Sequence, residues 1–199
     1  MVKHLQGRGF SCFSTFTPTA AIRGNPLFRR QIDEIFHDTY SGGVDFLGLC
    51  LLIVADLLQH IRDTIIPRLE KGQVVICDRY IYTSIAEVRS RSGDASVEDI
   101  IRQIAARIIA PDLALVLDVS DRAARSRIMQ REDERDKPLD VRLLAKQAQT
   151  YRDVAEENDL LLVSSEGGEA ETFGQIQAHL LHQPRMTGNR ATAVSAVRS

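Results

Sequence analysis

Short apolar runs alternate along the chain with longer segments whose apolar residues recur at helical spacing. Four of these runs are too short for helices, so we predict strands at residues 10–16, 74–77, 113–119 and 160–163. Strands that alternate with helices are typical of an α/β protein with a parallel sheet and right-handed crossovers. The ligand of such a sheet is expected beyond the carboxyl ends of its strands.

The helical patterns fill the segments between these strands. Helices are predicted at residues 26–36, 45–71, 83–92, 96–109, 122–131, 140–158 and 173–181, with residues 96–99 capping the fourth. The most apolar stretch, residues 46–55, is about half as long as the roughly twenty residues of a bilayer span, which predicts a buried helix. Residues 183–199 show no periodicity, so we predict a disordered tail after one domain over residues 1–182.

Composition narrows the class of protein. A chain of 199 residues, 44% of them hydrophobic, suits a single domain with a substantial core. Its net charge of −2 provides no basic field that would favour nucleic acid. The three cysteines lie far apart in apolar surroundings, which argues against a disulfide framework or a zinc cluster. Because no secretory signal opens the chain either, we expect a cytoplasmic protein without nucleic-acid or membrane partners.

The strand at residues 74–77 is followed at once by Asp78 and Arg79. A carboxylate at a strand end can hold Mg²⁺ directly or through water, and a guanidinium can bind phosphate oxygens in a bidentate manner. This pair therefore predicts a nucleotide site. The alternative is an ion pair that only stabilises the strand end. Asp118 occupies a similar position near the end of the strand at residues 113–119.

A second candidate is a row of arginines, Arg127, Arg131 and Arg135, whose spacing of four residues places them on one helical face. Such a row could close over a polyphosphate. Acidic residues are interleaved with it, so an exposed face that neutralises its own charge is an equally good interpretation. The sequence contains neither G-x-x-x-x-G-K-[ST] nor G-x-G-x-x-G. From the residues alone we conclude only that this is an α/β protein related to nucleotides.

Several segments resemble sequences of the thymidylate kinase family, whose members are nucleoside monophosphate kinases with a phosphate loop. The similarity lies in residues 58–60, in residues 66–80, which end in Cys-Asp-Arg-Tyr, in Ser84 and Ala86, and in residues 111–119. It extends over roughly residues 1–182. The resemblance implies a three-layer parallel sheet with helices on both faces, of the P-loop kinase type. It also implies ATP and Mg²⁺ as cofactors, a nucleotide substrate, and a homodimer formed through the long helices.

The resemblance also implies roles for individual residues. Asp78 would hold the magnesium, Arg79 the acceptor phosphate, and Arg131 and Arg135 the transferring phosphoryl group. Arg127 and Arg131 would contact ATP. The acceptor pocket would be lined by Arg79, Ser84, Ile53 and Glu87. The reaction implied is transfer of the γ-phosphoryl group of ATP to dTMP or a related nucleotide.

The chain departs from the family pattern at several functional positions. Residues 1–8 resemble only the end of the helix that follows the phosphate loop, so the strand carrying that loop is expected to be absent, which leaves four recognisable strands. Phe16 and Leu57 stand where the family has arginines, Ile53 where it has a phenylalanine, and Glu87 and Val88 where it has a Tyr-Gln pair. Two hypotheses follow. The chain is a kinase whose sequence is short at its amino end, or it is a non-catalytic binding or dimerisation module.

The missing strand makes a prediction about the fold. In this family it is central, between the strands that match residues 74–78 and 113–119. Its absence would open a slot roughly 10 Å wide, lined by unpaired backbone groups, each costing about 1–3 kcal/mol. We therefore expect either that the two flanking strands pair directly or that the isolated chain folds poorly and aggregates.

Overall fold

The structure is a computed structural model that describes residues 1–26, 28–30, 46–130, 141–181 and 193–198. Its strands form one five-stranded sheet in which every pair of neighbours is parallel, with the order β1-β2-β5-β3-β4. The strands are β1 (Cys12–Phe16), β2 (Val74–Asp78), β3 (Leu113–Asp118), β4 (Leu161–Ser164) and β5 (Ala193–Arg198). The α/β class and the first four strands agree with the prediction, apart from shifts of one or two residues at their ends.

Helices connect the strands, as predicted. They are α1 (Val2–Gly7), α2 (Ala20–Arg23), α3 (Phe46–His60), α4 (Ile66–Glu70), α5 (Ile81–Arg91), α6 (Ala95–Ala105), α7 (Asp121–Met129), α8 (Val141–Glu157) and α9 (Glu169–Leu181). A π-helical turn, Ile61–Ile65, joins α3 to α4 within the long helix expected at residues 45–71. Of the helix predicted at 26–36, only residues 26 and 28–30 are described, and these are helical.

The cap predicted for α6 at residues 96–99 is wrong. Asp94 is the N-cap residue, because its Oδ1 accepts a hydrogen bond from the Ser96 backbone N–H at 2.9 Å. An Asp carboxylate just ahead of the first turn satisfies backbone N–H groups that have no partner inside the helix. Ser96 supports the same cap from within the helix, since its hydroxyl also donates to Asp94 Oδ1.

Strand β2 is apolar from Val74 to Cys77 because helices pack on alternate side chains. Val75 and Cys77 belong to a buried cluster with residues of α3, α5, α6 and α8. Val74 and Ile76 belong to a second buried cluster, which includes Leu5 of α1 and Leu180 of α9. A strand of a parallel sheet that packs in this way needs a continuous apolar run, which is the pattern that identified it in the sequence.

The apolar stretch at residues 46–55 forms most of α3. On one side of this helix, Leu49, Cys50, Val54 and Leu57 are buried. On the other side, the exposed fraction is between 37% and 41% for each of Leu47, Leu51, Leu52 and Leu58. Within the described ranges, no helix has the length and apolar content needed to cross a bilayer. The helix is thus buried on one side only, whereas the sequence predicted a buried helix, and its other side presents an apolar face.

The C-terminal strand β5 corrects the prediction of a disordered tail over residues 183–199 for the part that is described, residues 193–198. It pairs with β2 from Val75↔Ala193 to Asp78↔Ala196 and with β3 from Leu113↔Val194 to Leu117↔Arg198. Residues 182–192 and 199 lie outside the described part. The sequence Ala-Val-Ser-Ala-Val-Arg carries only a weak strand signal of its own. It forms a strand here because β2 and β3 each present an edge of backbone donors and acceptors that need partners.

Within the described part of the chain the sheet therefore has five strands, where the sequence predicted four. The expected direct pairing of β2 with β3 is wrong, since β5 lies between the two strands. The expected poor folding and aggregation of the isolated chain stays a prediction. The position between them is taken by β5, at the usual spacing of about 4.8 Å from each neighbour. This strand comes from the opposite end of the chain from the one that the family resemblance implies.

Candidate functional site

The predicted pair Asp78 and Arg79 lies where the carboxyl ends of β1 and β2 meet. The register places Phe16 opposite Asp78, and the Thr17 backbone N–H donates to the Asp78 carbonyl oxygen at 3.0 Å. Asp78 and Arg79 are both half-buried. The site predicted from the residues after the strand is thus at the edge of the sheet where α/β proteins bind their ligands.

Arg79 has an unusual backbone conformation, with a φ of 66°. Left-handed geometry at a residue with a side chain costs about 1–3 kcal/mol, so it persists only where neighbours hold it. Two neighbours do so here, because the Thr17 hydroxyl and the Cys77 thiol both donate to the Arg79 carbonyl oxygen at 3.1 Å. Thr17 is 4% exposed. Among the described residues, the Arg79 guanidinium itself makes no hydrogen bond or ion pair.

The segment after β1 is anchored to α3 by a contact that the sequence did not reveal. The Thr19 backbone N–H and hydroxyl donate to the two carboxylate oxygens of Asp56, at 2.7 Å and 2.6 Å. One turn along α3, the His60 Nε2 lies 2.7 Å from the Thr15 hydroxyl. Burial lowers the pKa of His60, against a smaller opposing effect of Asp56. These contacts join residues about 40 positions apart, which no local pattern could indicate.

The predicted pocket residues Ser84 and Glu87 lie on α5, directly after Asp78 and Arg79. Ser84 is buried. The Glu87 carboxylate accepts hydrogen bonds from Arg91 Nε at 2.7 Å, from Gln147 Nε2 at 3.2 Å and from the Tyr151 hydroxyl at 3.4 Å. This network ties α5 to α8. In this conformation the Glu87 carboxylate is thus engaged by the protein itself.

Glu87 and Arg79 act on the same hydroxyl group. Burial raises the pKa of Tyr151 above its ordinary value, the charge of Glu87 raises it further, and the charge of Arg79 lowers it. The structure therefore brings these two predicted residues into one electrostatic environment. Ile53 is half-buried on α3, and the hydrogen bonds of the described residues join neither it nor Ser84 to Arg79.

The arginine row is only partly described. Arg127, on α7, donates to the backbone oxygen of Ser165 and lies 3.4 Å from its hydroxyl, so it ties α7 to the segment after β4. Arg131 and Arg135 lie outside the described residues. Asp118, at the end of β3, accepts a hydrogen bond from Arg152 Nε at 3.0 Å, and this ion pair raises the pKa of Arg152. Arg127 and Asp118 thus have structural partners in this conformation.

Comparison with known proteins gives a consistent result. A family model described as thymidylate kinase matches residues 1–176. The chain is similar to a probable thymidylate kinase of Pyrococcus horikoshii (30% identity over 64% of this chain and 60% of the relative). It is similar to a thymidylate kinase of Caldicellulosiruptor saccharolyticus, with 33% identity over 63% of this chain and 59% of the relative. It is also similar to a thymidylate kinase of Pelobacter propionicus, with 26% identity over 90% of this chain and 84% of the relative. The match spans about 60% of the length of the first two relatives.

Proposed function

Because this chain belongs to the thymidylate kinase family, we propose that it binds a nucleoside monophosphate, dTMP or a related nucleotide, as the acceptor of the γ-phosphoryl group of ATP. In this proposal Arg79 binds the acceptor phosphate, Ser84, Ile53 and Glu87 line the pocket, and the sheet has the three-layer arrangement of P-loop kinases. Family membership and the position of Asp78 and Arg79 at the carboxyl ends of the strands support it.

The observation that carries the proposal is that Arg79 combines a strained backbone with a guanidinium that has no partner among the described residues. A guanidinium has five N–H donors, and those of Arg79 have no partner among the described residues. Its backbone is held in a strained conformation by Thr17 and Cys77. An arginine whose only role was an ion pair at the end of a strand would need neither a guanidinium without described partners nor a strained backbone. A phosphate monoester supplies pairs of oxygens that match two parallel N–H donors of the planar guanidinium.

Asp78 is the residue that fits Mg²⁺. Magnesium in phosphoryl-transfer sites is held by one or two carboxylates, with water and substrate phosphate as its remaining ligands. Asp78 follows a buried strand and offers such a carboxylate next to Arg79. Within the described residues, no cluster of three or more acidic, histidine or cysteine side chains is present, so an all-protein metal cage is not formed there. Mg²⁺ would neutralise phosphate charge at this strand end.

The described residues do not fit the β- and γ-phosphates of ATP. The 199-residue sequence has no glycine-rich loop with its lysine, and the central position of the sheet is filled by β5. Arg127 is hydrogen-bonded to backbone oxygens, and Arg131 and Arg135 are not described. The proposal therefore assigns to the described part the acceptor side of the reaction, and the ATP roles of these arginines remain predictions from resemblance.

One observation favours a second candidate, a non-catalytic module that binds nucleotides or forms dimers. The C-terminal strand β5 pairs with both β2 and β3, so it occupies the central position of the described sheet. The homodimer also stays a prediction. The exposed leucines of α3 offer an apolar face of the kind that a helix-mediated interface would cover.

Titration of the purified chain with dTMP tests the proposed function. We expect dTMP to bind in isothermal titration calorimetry and thymidine, which lacks the phosphate, to bind at least about tenfold more weakly, because a charged phosphate contact contributes roughly 1.5–3 kcal/mol. Equal affinity for dTMP and thymidine would contradict a phosphate site. Binding of neither ligand would contradict the proposal as a whole.

The same purified chain, supplied with ATP, Mg²⁺ and dTMP, is expected not to form dTDP at a rate typical of kinases. The backbone amides and lysine that would carry the charge of the β- and γ-phosphates are absent from its 199 residues. The measurement is the appearance of labelled dTDP from γ-labelled ATP, with a curated relative as positive control. Turnover within the usual range of about 1–100 s⁻¹ would contradict this prediction.

A further inference from the structure

Arg23 places a second guanidinium at the edge of the sheet that Arg79 occupies. It is the last residue of the short helix α2, and its side chain turns back toward the end of β1. The Nε–H donates to the Pro18 carbonyl oxygen at 2.8 Å, and one terminal nitrogen donates to the Thr17 carbonyl oxygen at 3.5 Å. The centre of the guanidinium lies 4.6 Å from the centroid of the Phe16 ring. Three contacts thus fix an exposed arginine in one place.

The turn that fixes Arg23 also fixes Arg79. Thr17 accepts from Arg23 through its carbonyl oxygen and donates to the Arg79 carbonyl oxygen through its hydroxyl. Because Phe16 and Asp78 are register partners, the two arginines follow neighbouring strands that end at the same level. A single short segment therefore positions both guanidinium groups, and it leaves most of their N–H donors without a hydrogen-bond partner among the described residues.

The electrostatics of the pair agree with this placement. Partial burial lowers the pKa of Arg23, and the positive charge of Arg79 lowers it further, whereas Asp78 and Asp56 act in the opposite direction. Arg23 therefore lies within electrostatic range of Arg79. Among the described residues, no carboxylate forms a hydrogen-bonded bridge between the two guanidinium groups. An oxyanion between two guanidinium groups that repel each other would stabilise this arrangement.

We propose that Arg23 and Arg79 together form a phosphate-binding site, in which Arg23 is a further binding residue for the phosphate group of the nucleotide. This inference rests on the proposed function for the identity of the ligand, though the site itself requires only a phosphate oxyanion. Arg79 contacts the phosphate from the end of β2, and Arg23 contacts it from the end of β1. Phe16 acts as a positioning residue, because its ring supports the Arg23 guanidinium.

Calorimetric titration with two probes, dTMP and inorganic pyrophosphate, tests this inference. We expect Arg23→Ala to weaken the binding of both probes by about 10- to 100-fold, because one charge-assisted contact to phosphate is lost. Arg23→Lys keeps the charge and loses the planar donor set, so an intermediate loss is expected. Arg107→Ala is the matched control, because Arg107 bonds to Gln103 at the end of α6 and lies outside the site.

The double variant Arg23→Ala/Arg79→Ala shows whether the two residues hold the same anion. If they do, the combined loss of affinity differs from the product of the two single losses, because contacting residues are energetically coupled. Thermal melts of every variant separate loss of binding from loss of folding. Wild-type affinity in a folded Arg23→Ala variant overturns the inference.

The outcomes for the two proposals can be told apart. If Arg79→Ala abolishes dTMP binding while Arg23→Ala behaves like Arg107→Ala, the proposed function stands and the role of Arg23 is wrong. If pyrophosphate binds in an Arg23-dependent manner while dTMP does not bind, the phosphate site stands and the proposed nucleotide is wrong. If the wild-type chain binds neither probe, both are wrong.

Discussion

Replacing Ser195 with proline is expected to lower the free energy of unfolding by about 3–5 kcal/mol. Ser195 lies in β5, where its register partners are Cys77 on β2 and Ala114 on β3. Proline has no N–H to donate to a ladder and its ring does not fit a central strand, so it leaves a buried partner unpaired. Because a domain is stable by only about 5–15 kcal/mol, much of the stability would be lost.

The measurement for this prediction is urea denaturation followed by circular dichroism, with Ser195→Ala as the matched control. Alanine retains the backbone donor, so the control is expected to stay within about 1 kcal/mol of the wild type. For a chain of this length, the proline variant is expected to melt roughly 10–15 °C lower. Equal stability of the proline variant and the alanine control would show that residue 195 is not in a central strand.

Replacing Arg79 with alanine is expected to weaken dTMP binding by about 30- to 1,000-fold, which corresponds to roughly 2–4 kcal/mol. Arg79 is half-buried, and water would replace its guanidinium poorly as a partner of a phosphate dianion. Arg79→Lys retains the charge without the bidentate geometry and is expected to recover only part of the affinity.

The stability of the Arg79→Ala variant should change little, because its guanidinium makes no hydrogen bond or ion pair among the described residues. A glycine at this position would relieve the left-handed backbone, so Arg79→Gly is expected to be at least as stable as Arg79→Ala. Both variants should lose dTMP binding alike. Unchanged affinity in either variant, measured by calorimetry, would remove Arg79 from the site.

The parts of the fold that could be predicted are those in which local sequence and tertiary context agree. The β-branched apolar run at residues 74–77 predicts a strand, and in the structure these four residues of Val74–Asp78 are buried. The long helix from residue 46 to residue 70 follows from its apolar spacing, although nothing in the pattern indicates the π-helical turn at Ile61–Ile65. Asp78 was predictable as a candidate because it directly follows a buried strand, although the same pattern also suits an ion pair that only stabilises the strand end.

The parts that could not be predicted depend on partners distant in sequence. Residues 193–198 look like a continuation of a polar tail, and they become a strand only because β2 and β3 leave a position between them. The contact of Thr19 with Asp56 and the position of Arg23 over Phe16 have no periodic signal. Glu87 was named for the pocket, but its engagement by Arg91, Gln147 and Tyr151 became visible only in the structure.

A Ser195→Cys variant directly tests the central position of β5 in the sheet. Register partners on neighbouring strands lie about 4.8 Å apart, which falls within the range of about 4.4–6.8 Å for the Cα atoms of a disulfide. We predict that mild oxidation links residue 195 to Cys77 within one chain, as detected by mass spectrometry of the linked peptides. Ala196→Cys is the control, since its partners Asp78 and Leu115 offer no thiol. Equal linkage to Cys77 from both variants, or none from either, would contradict the placement of the C-terminal strand in the centre of the sheet.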